Sequence, residues 1–200
     1  MRYLRKFNES KSNTIRVSCA SLARIEIGDK YLLLLNKRRA ARGEYTYSPI
    51  GGGLEFKKDA LPFLSTFTEK YEKGNDLRLF INRDSLDAFT KWFKSSKDRE
   101  VGIDRELVEE FVDEEKFFES LTSSDYESVY VKTGIYPYAE GCRFFEIYNV
   151  KLSDEKERYL LDNINNSHFK LFSHEEIING KSENGDKIGF IIADSSKTII

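Results

Sequence analysis

Five consecutive apolar residues, Tyr31-Leu32-Leu33-Leu34-Leu35, constrain the architecture of this 200-residue chain more than any other stretch. A strand wet on one side alternates apolar and polar side chains, so an unbroken run belongs in a strand covered on both faces. The run is far too short to span a bilayer, which takes about 20 residues. Upstream, Thr14 to Ile27 reads as a long strand with Ile15, Val17 and Cys19 on one face, and Gly28-Asp29-Lys30 is a turn signal. The two runs predict a hairpin whose second arm, Tyr31 to Asn36, is deeply buried. Lys37 to Gly43 follows as a basic loop, and Glu44 to Ser48 as a short strand ending at Pro49.

Two further pieces carry chemistry. Gly51-Gly52-Gly53 removes three successive side chains where the backbone turns, so a ligand or another strand can come close. Downstream, Arg105-Glu106-Leu107-Val108-Glu109-Glu110 sets three carboxylates and an arginine within less than two helical turns. At 3.6 residues per turn Glu106, Glu109 and Glu110 share one side of a helix, and Asp113 extends the stripe. Like charges at this spacing repel. Grouped oxygen ligands are what a hard cation such as Mg²⁺ or Mn²⁺ requires. The other reading is a solvated acidic face, common where 33% of residues are charged.

The remaining pattern mixes strands and helices. Phe63 to Phe67 and Leu77 to Ile81 are strand-like, and a helix is expected from about Asp84 to Lys94 with Leu86, Phe89 and Phe93 as its apolar stripe. The acidic helix is expected from Ile103 or Asp104 to Val112. Ser128 to Tyr138 and Arg143 to Leu152 read as strands joined around Ala139-Glu140-Gly141, and Asp154 to Asn163 as a helix. His168 to Phe172 is strand-like, and Ser173-His174-Glu175-Glu176 is a capping box opening a helix to Asn179. Ile188 to Ile192 is a last apolar run and Asp194 to Ile200 a closing helical turn. Together these predict an α+β fold in one domain, 1–200, with a polar lead-in at 1–13.

Composition narrows the function classes. A net charge of −2 argues against general nucleic-acid binding or adhesion to a membrane surface. Cys19 and Cys142 suggest neither a disulfide framework nor a zinc site. The polar N-terminus does not read as a signal peptide, and a cytoplasmic location is the expectation.

Taken together, the glycine turn and the acidic helix resemble the Nudix family, whose signature joins a glycine loop to a helix carrying REUxEExGU, where U is aliphatic. Gly51-Gly52-Gly53-Leu54-Glu55 matches the loop, and Arg105-Glu106-Leu107 with Glu109-Glu110 matches the helix. Gly52 and Arg105 stand 53 positions apart, so an insertion of roughly 40 residues, placed at 57–100, splits the motif. Val112 and Asp113 replace the motif's second glycine and the aliphatic residue after it. Lys57, Lys58 and Asp59 stand where its loop glutamate is expected. The split motif, Lys91-Trp92-Phe93, Asp98-Arg99-Glu100 and the tail around Phe169 to Ile177 and Ser195 to Ile199 are similar to the SMODS-associated Nudix group of bacterial antiphage signalling.

The resemblance implies a mixed or antiparallel sheet sandwiched by helices, and a site for a nucleotide or a molecule derived from one. Glu109 and Glu110 would hold Mg²⁺ or Mn²⁺, Glu106 would be a ligand or the base that positions water, and Arg105 would orient Glu106. Gly51, Gly52 and Gly53 would let the backbone approach phosphates. Arg38, Arg39 and Arg42 are candidates to clamp them. Glu55, Glu140 and Glu146 are candidate additional carboxylates. Three functions follow, in this order: a nucleotide- or cyclic-oligonucleotide-sensing domain, a Mg²⁺-dependent pyrophosphohydrolase of a nucleoside diphosphate derivative, and a protein-interaction domain on the same scaffold. An effector domain or membrane segment elsewhere in a longer protein would be the sensing domain's partner.

Overall fold

The computed structural model describes residues 12–166, 168–182 and 191–200. The lead-in expected at 1–13 lies outside them except for residues 12 and 13, as do residues 188–190 of the last apolar run. β1 is Thr14–Ile27, β2 Lys30–Leu35, β3 Thr46–Ser48 and β4 Gly51–Gly53. β5 is Thr68–Tyr71, β6 Arg78–Asn82, β7 Tyr126–Tyr138, β8 Gly141–Leu152, β9 Phe169–Ser173 and β10 Ile191–Ile192. β1 with β2, β1 with β6, β2 with β3, β2 with β9 and β5 with β6 pair antiparallel, and β10 pairs parallel with β3. Helices intervene throughout, and the fold is α+β as expected.

The chain divides into two compact units. The first takes the described residues up to Ser21 together with Gly52–Gly102 and Lys132–Glu146, and so contains the whole motif-splitting insertion. The second takes Leu22–Gly51, Ile103–Val131 and the described residues from Ile147 onward. β1, β7 and β8 each supply residues to both.

In the first unit β6 pairs with the start of β1, from Thr14 opposite Asn82 to Ser18 opposite Arg78, and β5 adds to β6. Alternation then sends Ile15, Val17, Cys19, Leu77, Leu79 and Ile81 to one face, where they are buried with Phe89, Trp92 and Phe93. The last three lie on the helix Leu86–Lys94. A 3-10 turn, Arg83–Ser85, leads into it, capped by Asn82, whose side chain accepts from the Asp84 N–H. Phe63 to Phe67 departs from expectation: Leu61–Leu64 is a helical turn with a proline at its start, where a fixed φ and a missing N–H suit a helix. The strand falls one step later, at β5.

In the second unit β2 is central, as its apolar run requires. β9 pairs along its length from Lys30 opposite Ser173 to Leu34 opposite Phe169, and β3 pairs at its end. Leu32 and Leu33 are fully buried. The expected basic loop begins instead with a helical turn, Lys37–Ala40, because Asn36 caps it by accepting from the Arg39 N–H at 3.0 Å. The capping box at Ser173 forms: Ser173 Oγ accepts from the Glu176 N–H and the Glu176 carboxylate from the Ser173 N–H.

Candidate functional site

The acidic helix starts at Asp104, and Leu107 and Phe111 are fully buried one turn apart. Phe111 stacks on Phe169 of β9 with ring centroids 5.0 Å apart. This apolar anchor fixes the rotation of the helix and hence the direction of its carboxylates. Arg105 grips two of them, Nη2 reaching Glu106 Oε1 at 2.8 Å and Nη1 reaching Glu109 Oε1 at 2.9 Å. Glu106 is buried while Glu109 is half-buried, so the clamp holds one inner and one outer carboxylate. Arg105 thus contacts Glu106, the residue it was expected to orient, and Glu109 as well.

The helix does not end at Val112. From Glu109 to Glu114 it widens to π geometry, in which each N–H bonds five residues back, and the Glu115 N–H donates to the Glu110 carbonyl at 3.1 Å. The widened turn adds Glu115, five residues on, to the carboxylates near Glu110. Glu110 lies within the field of Glu114, Glu106 and Glu115, and burial together with these like charges pushes its carboxyl up to about 7. Glu109 belongs instead with Arg105, and Asp113 is exposed.

Glu115 ends the segment and carries two partners on separate oxygens. Lys37 Nζ meets Oε1 at 2.6 Å and His168 Nδ1 meets Oε2 at 2.8 Å. The sheet explains the convergence: the Leu35 N–H donates to the His168 carbonyl at 3.0 Å, so the end of β2 delivers Lys37 beside His168. The sequence reading singled out none of these three residues. Arg38, Arg39 and Arg42, which it did single out, are exposed. Their neighbour Lys37 is the cation that reaches the acidic segment. The acidic run was the available signal: Glu114, four residues after Glu110, falls beside it at α-helical spacing, whereas Glu115, five residues on, does not.

The glycines and the additional carboxylates fall elsewhere. Gly51–Gly53 forms β4, which pairs with β1, and Gly51 has φ 149°, a conformation that favours glycine. Gly52 and Gly53 belong to the first unit. Glu55 is exposed and its N–H donates to Glu100 Oε2. Glu140 is exposed in the β7–β8 turn. Glu146 is buried against Arg99, which is also buried and donates to its two oxygens at 2.5 and 3.2 Å. Arg99 further donates to the Phe93 and Glu100 carbonyls and lies over the Phe93 ring. Arg99, so held, fixes the Glu146 carboxylate inside the first unit.

The donor chemistry of the acidic segment suits Mg²⁺ or Mn²⁺. It is oxygen-only, and Glu110 is partly desolvated among like charges that a divalent cation would relieve. Among the described residues no group of three His, Cys, Asp or Glu side chains stands in ligating position. Among the described residues no helix is long and apolar enough to cross a membrane.

Comparison with curated proteins returned no match. Comparison with family models matched the SMODS-associated NUDIX domain over residues 14–200. The match spans both units, the split motif and the tail, and the chain belongs to the SMODS-associated NUDIX domain family.

Proposed function

We propose that this chain is a nucleotide-sensing Nudix domain that binds a nucleotide or cyclic oligonucleotide signal, serves bacterial antiphage defence, and passes its state to an effector. Glu106, Glu109 and Glu110 would hold Mg²⁺ or Mn²⁺, which would neutralise phosphate charge on the ligand. The observation that carries the reading is the partial burial of Glu110 and its crowding by Glu114, Glu106 and Glu115, which the field of Lys37 only partly offsets. Binding is favoured over turnover because basic side chains already hold most of the acidic run: Arg105 holds Glu106 and Glu109, and Lys37 and His168 hold Glu115.

The second reading, a Mg²⁺-dependent pyrophosphohydrolase, draws on the same Arg105–Glu106 contact, which fixes a buried carboxylate in one orientation as water activation needs. Calorimetry with nucleoside diphosphates and with cyclic di- and trinucleotides, each with Mg²⁺, separates the two when product formation is followed in parallel. Sensing predicts saturable binding without turnover, weakened at least about tenfold by Glu110→Gln. Turnover that Glu110→Gln abolishes establishes the hydrolase, and absence of binding to every member sinks both readings.

A further inference from the structure

Within the first unit, Gly53, Asp76 and Arg78 form an arrangement that no structural need explains. Phe56 N–H donates to the Asn75 carbonyl and Leu77 N–H to the Leu54 carbonyl, and Glu55 bridges to Asp76 in antiparallel register. That register sets Gly53 opposite Arg78, and opposite residues share a face. A Cβ on Gly53 would lie 2.7 Å from Arg78 Nη2 and 3.1 Å from Asp76 Oδ1. The glycine is what allows the guanidinium to lie across the backbone over the carboxylate.

The two side chains do not satisfy each other. Arg78 Nη1 stands 3.4 Å from Asp76 Oδ2, a loose ion pair, with 41% of the Arg78 side chain exposed. Asp76 Oδ1 is buried with no hydrogen-bond partner among the described residues, and it is the only carboxylate oxygen of that kind. Arg99, in the same unit, shows the alternative: a buried bidentate fork on Glu146. Nearby Glu72 is already taken in that way by Arg16 at 2.5 and 3.0 Å. An arginine with uncommitted donors above a carboxylate with an unused acceptor offers an outside molecule both halves of a recognition pair.

We infer that Asp76 and Arg78, supplied by the insertion and laid over Gly53, read the ribose and phosphate of a ribonucleotide. Arg78 takes a phosphate oxygen, matching the planar guanidinium to the anion. Its departure from Gly53 bares Asp76 Oδ1, which accepts from a ribose hydroxyl. An acceptor built for a hydroxyl rejects an analogue that lacks it, because the buried oxygen stays unpaired. The pair therefore selects ribonucleotides over 2′-deoxyribonucleotides. This rests on the nucleotide reading above and adds to it the sugar and the residues that recognise it.

The test titrates the wild-type chain and its Asp76→Ala, Arg78→Ala and Gly53→Ala variants with the four ribonucleoside diphosphates and their 2′-deoxy counterparts. The wild type is expected to bind at least one ribonucleotide about tenfold or more tighter than its deoxy form. Asp76→Ala removes that preference. Arg78→Ala weakens both forms about tenfold. Gly53→Ala, whose methyl would stand 3.1 Å from Asp76 Oδ1 where the hydroxyl enters, behaves like Asp76→Ala. Arg78 is half-exposed, so its truncation reports binding even if Gly53→Ala does not fold. Nucleotide binding that ignores the 2′-hydroxyl, or that survives Arg78→Ala unchanged, overturns this inference and leaves the nucleotide reading standing. Failure to bind any of the eight compounds overturns it too, and if the cyclic nucleotides also fail, the broader reading falls with it.

Discussion

Glu110 concentrates the electrostatics of the acidic segment on one proton. Its carboxyl is pushed from about 4.5 to about 7 first by burial, then by Glu114, Glu106 and Glu115. Between those values the folded chain holds a proton that the unfolded chain has released, so stability falls as pH rises through this window. The full shift corresponds to about 3 kcal/mol, and with Glu110 only partly buried, screening reduces it to roughly 1–2 kcal/mol. Metal-free Glu110→Gln is expected to exceed the wild type by that amount at pH 8 and to match it near pH 4.5. Urea denaturation at the two pH values in the presence of a chelator checks this, and an equal difference at both would remove Glu110 as the cause. The acidic residues themselves were legible in the sequence, because charge type and helical spacing need no tertiary information. Their partners were not. Lys37 and His168 reach Glu115 only because β2 and β9 end together, a fact of strand pairing that lies outside any local window.

At the scale of elements, the hairpin, the central β2, the Leu86–Lys94 helix, the capping box and the split motif could all be read from periodicity and cap chemistry. β5 could not: its sequence Thr-Glu-Lys-Tyr carries no apolar alternation, and it exists because β6 offers it a partner. The π segment was hidden for a related reason. Phe111, Phe117 and Phe118 pack together, and both the Phe117 and Phe118 N–H groups return to the Phe111 carbonyl. Core contacts of this kind, rather than propensity, pull the chain into a wider turn. The chain then reverses at Lys116, which has φ 50°. Where the family motif stops its helix with glycine, this chain stops four residues later with a lysine in the left-handed region. Lys116→Gly is expected to relieve that strain and stabilise the fold by up to about 1 kcal/mol, after the extra backbone entropy of glycine is subtracted. A raised urea midpoint with an unchanged slope would show it. A lowered midpoint would mean that the lysine side chain contributes more than its backbone costs.

Over the whole molecule, two separate apolar clusters stand where one domain of this length would ordinarily carry one. One gathers Ile15, Leu79, Phe89, Trp92 and Phe144, the other Leu32, Leu107, Phe111 and Phe169, and each falls within one of the compact units. The insertion that splits the motif thus builds a core together with residues of β1 and β8, centred on Phe89, which meets Phe67, Trp92, Phe93 and Phe144. β1 and β8 supply residues to both clusters. Truncating a buried phenylalanine costs about 3–5 kcal/mol. Where packing is divided, that loss should appear first as opening of the local unit. Phe89→Ala is expected to lower native-state hydrogen-exchange protection in β5 and β6 while the amides of β2 and β9 keep theirs. Phe111→Ala should reverse the pattern. Equal loss of protection in all four strands from either substitution would mean that β1 and β8 bind the cores into a single cooperative unit. The insertion would then be unable to respond to a ligand without the acidic helix responding with it.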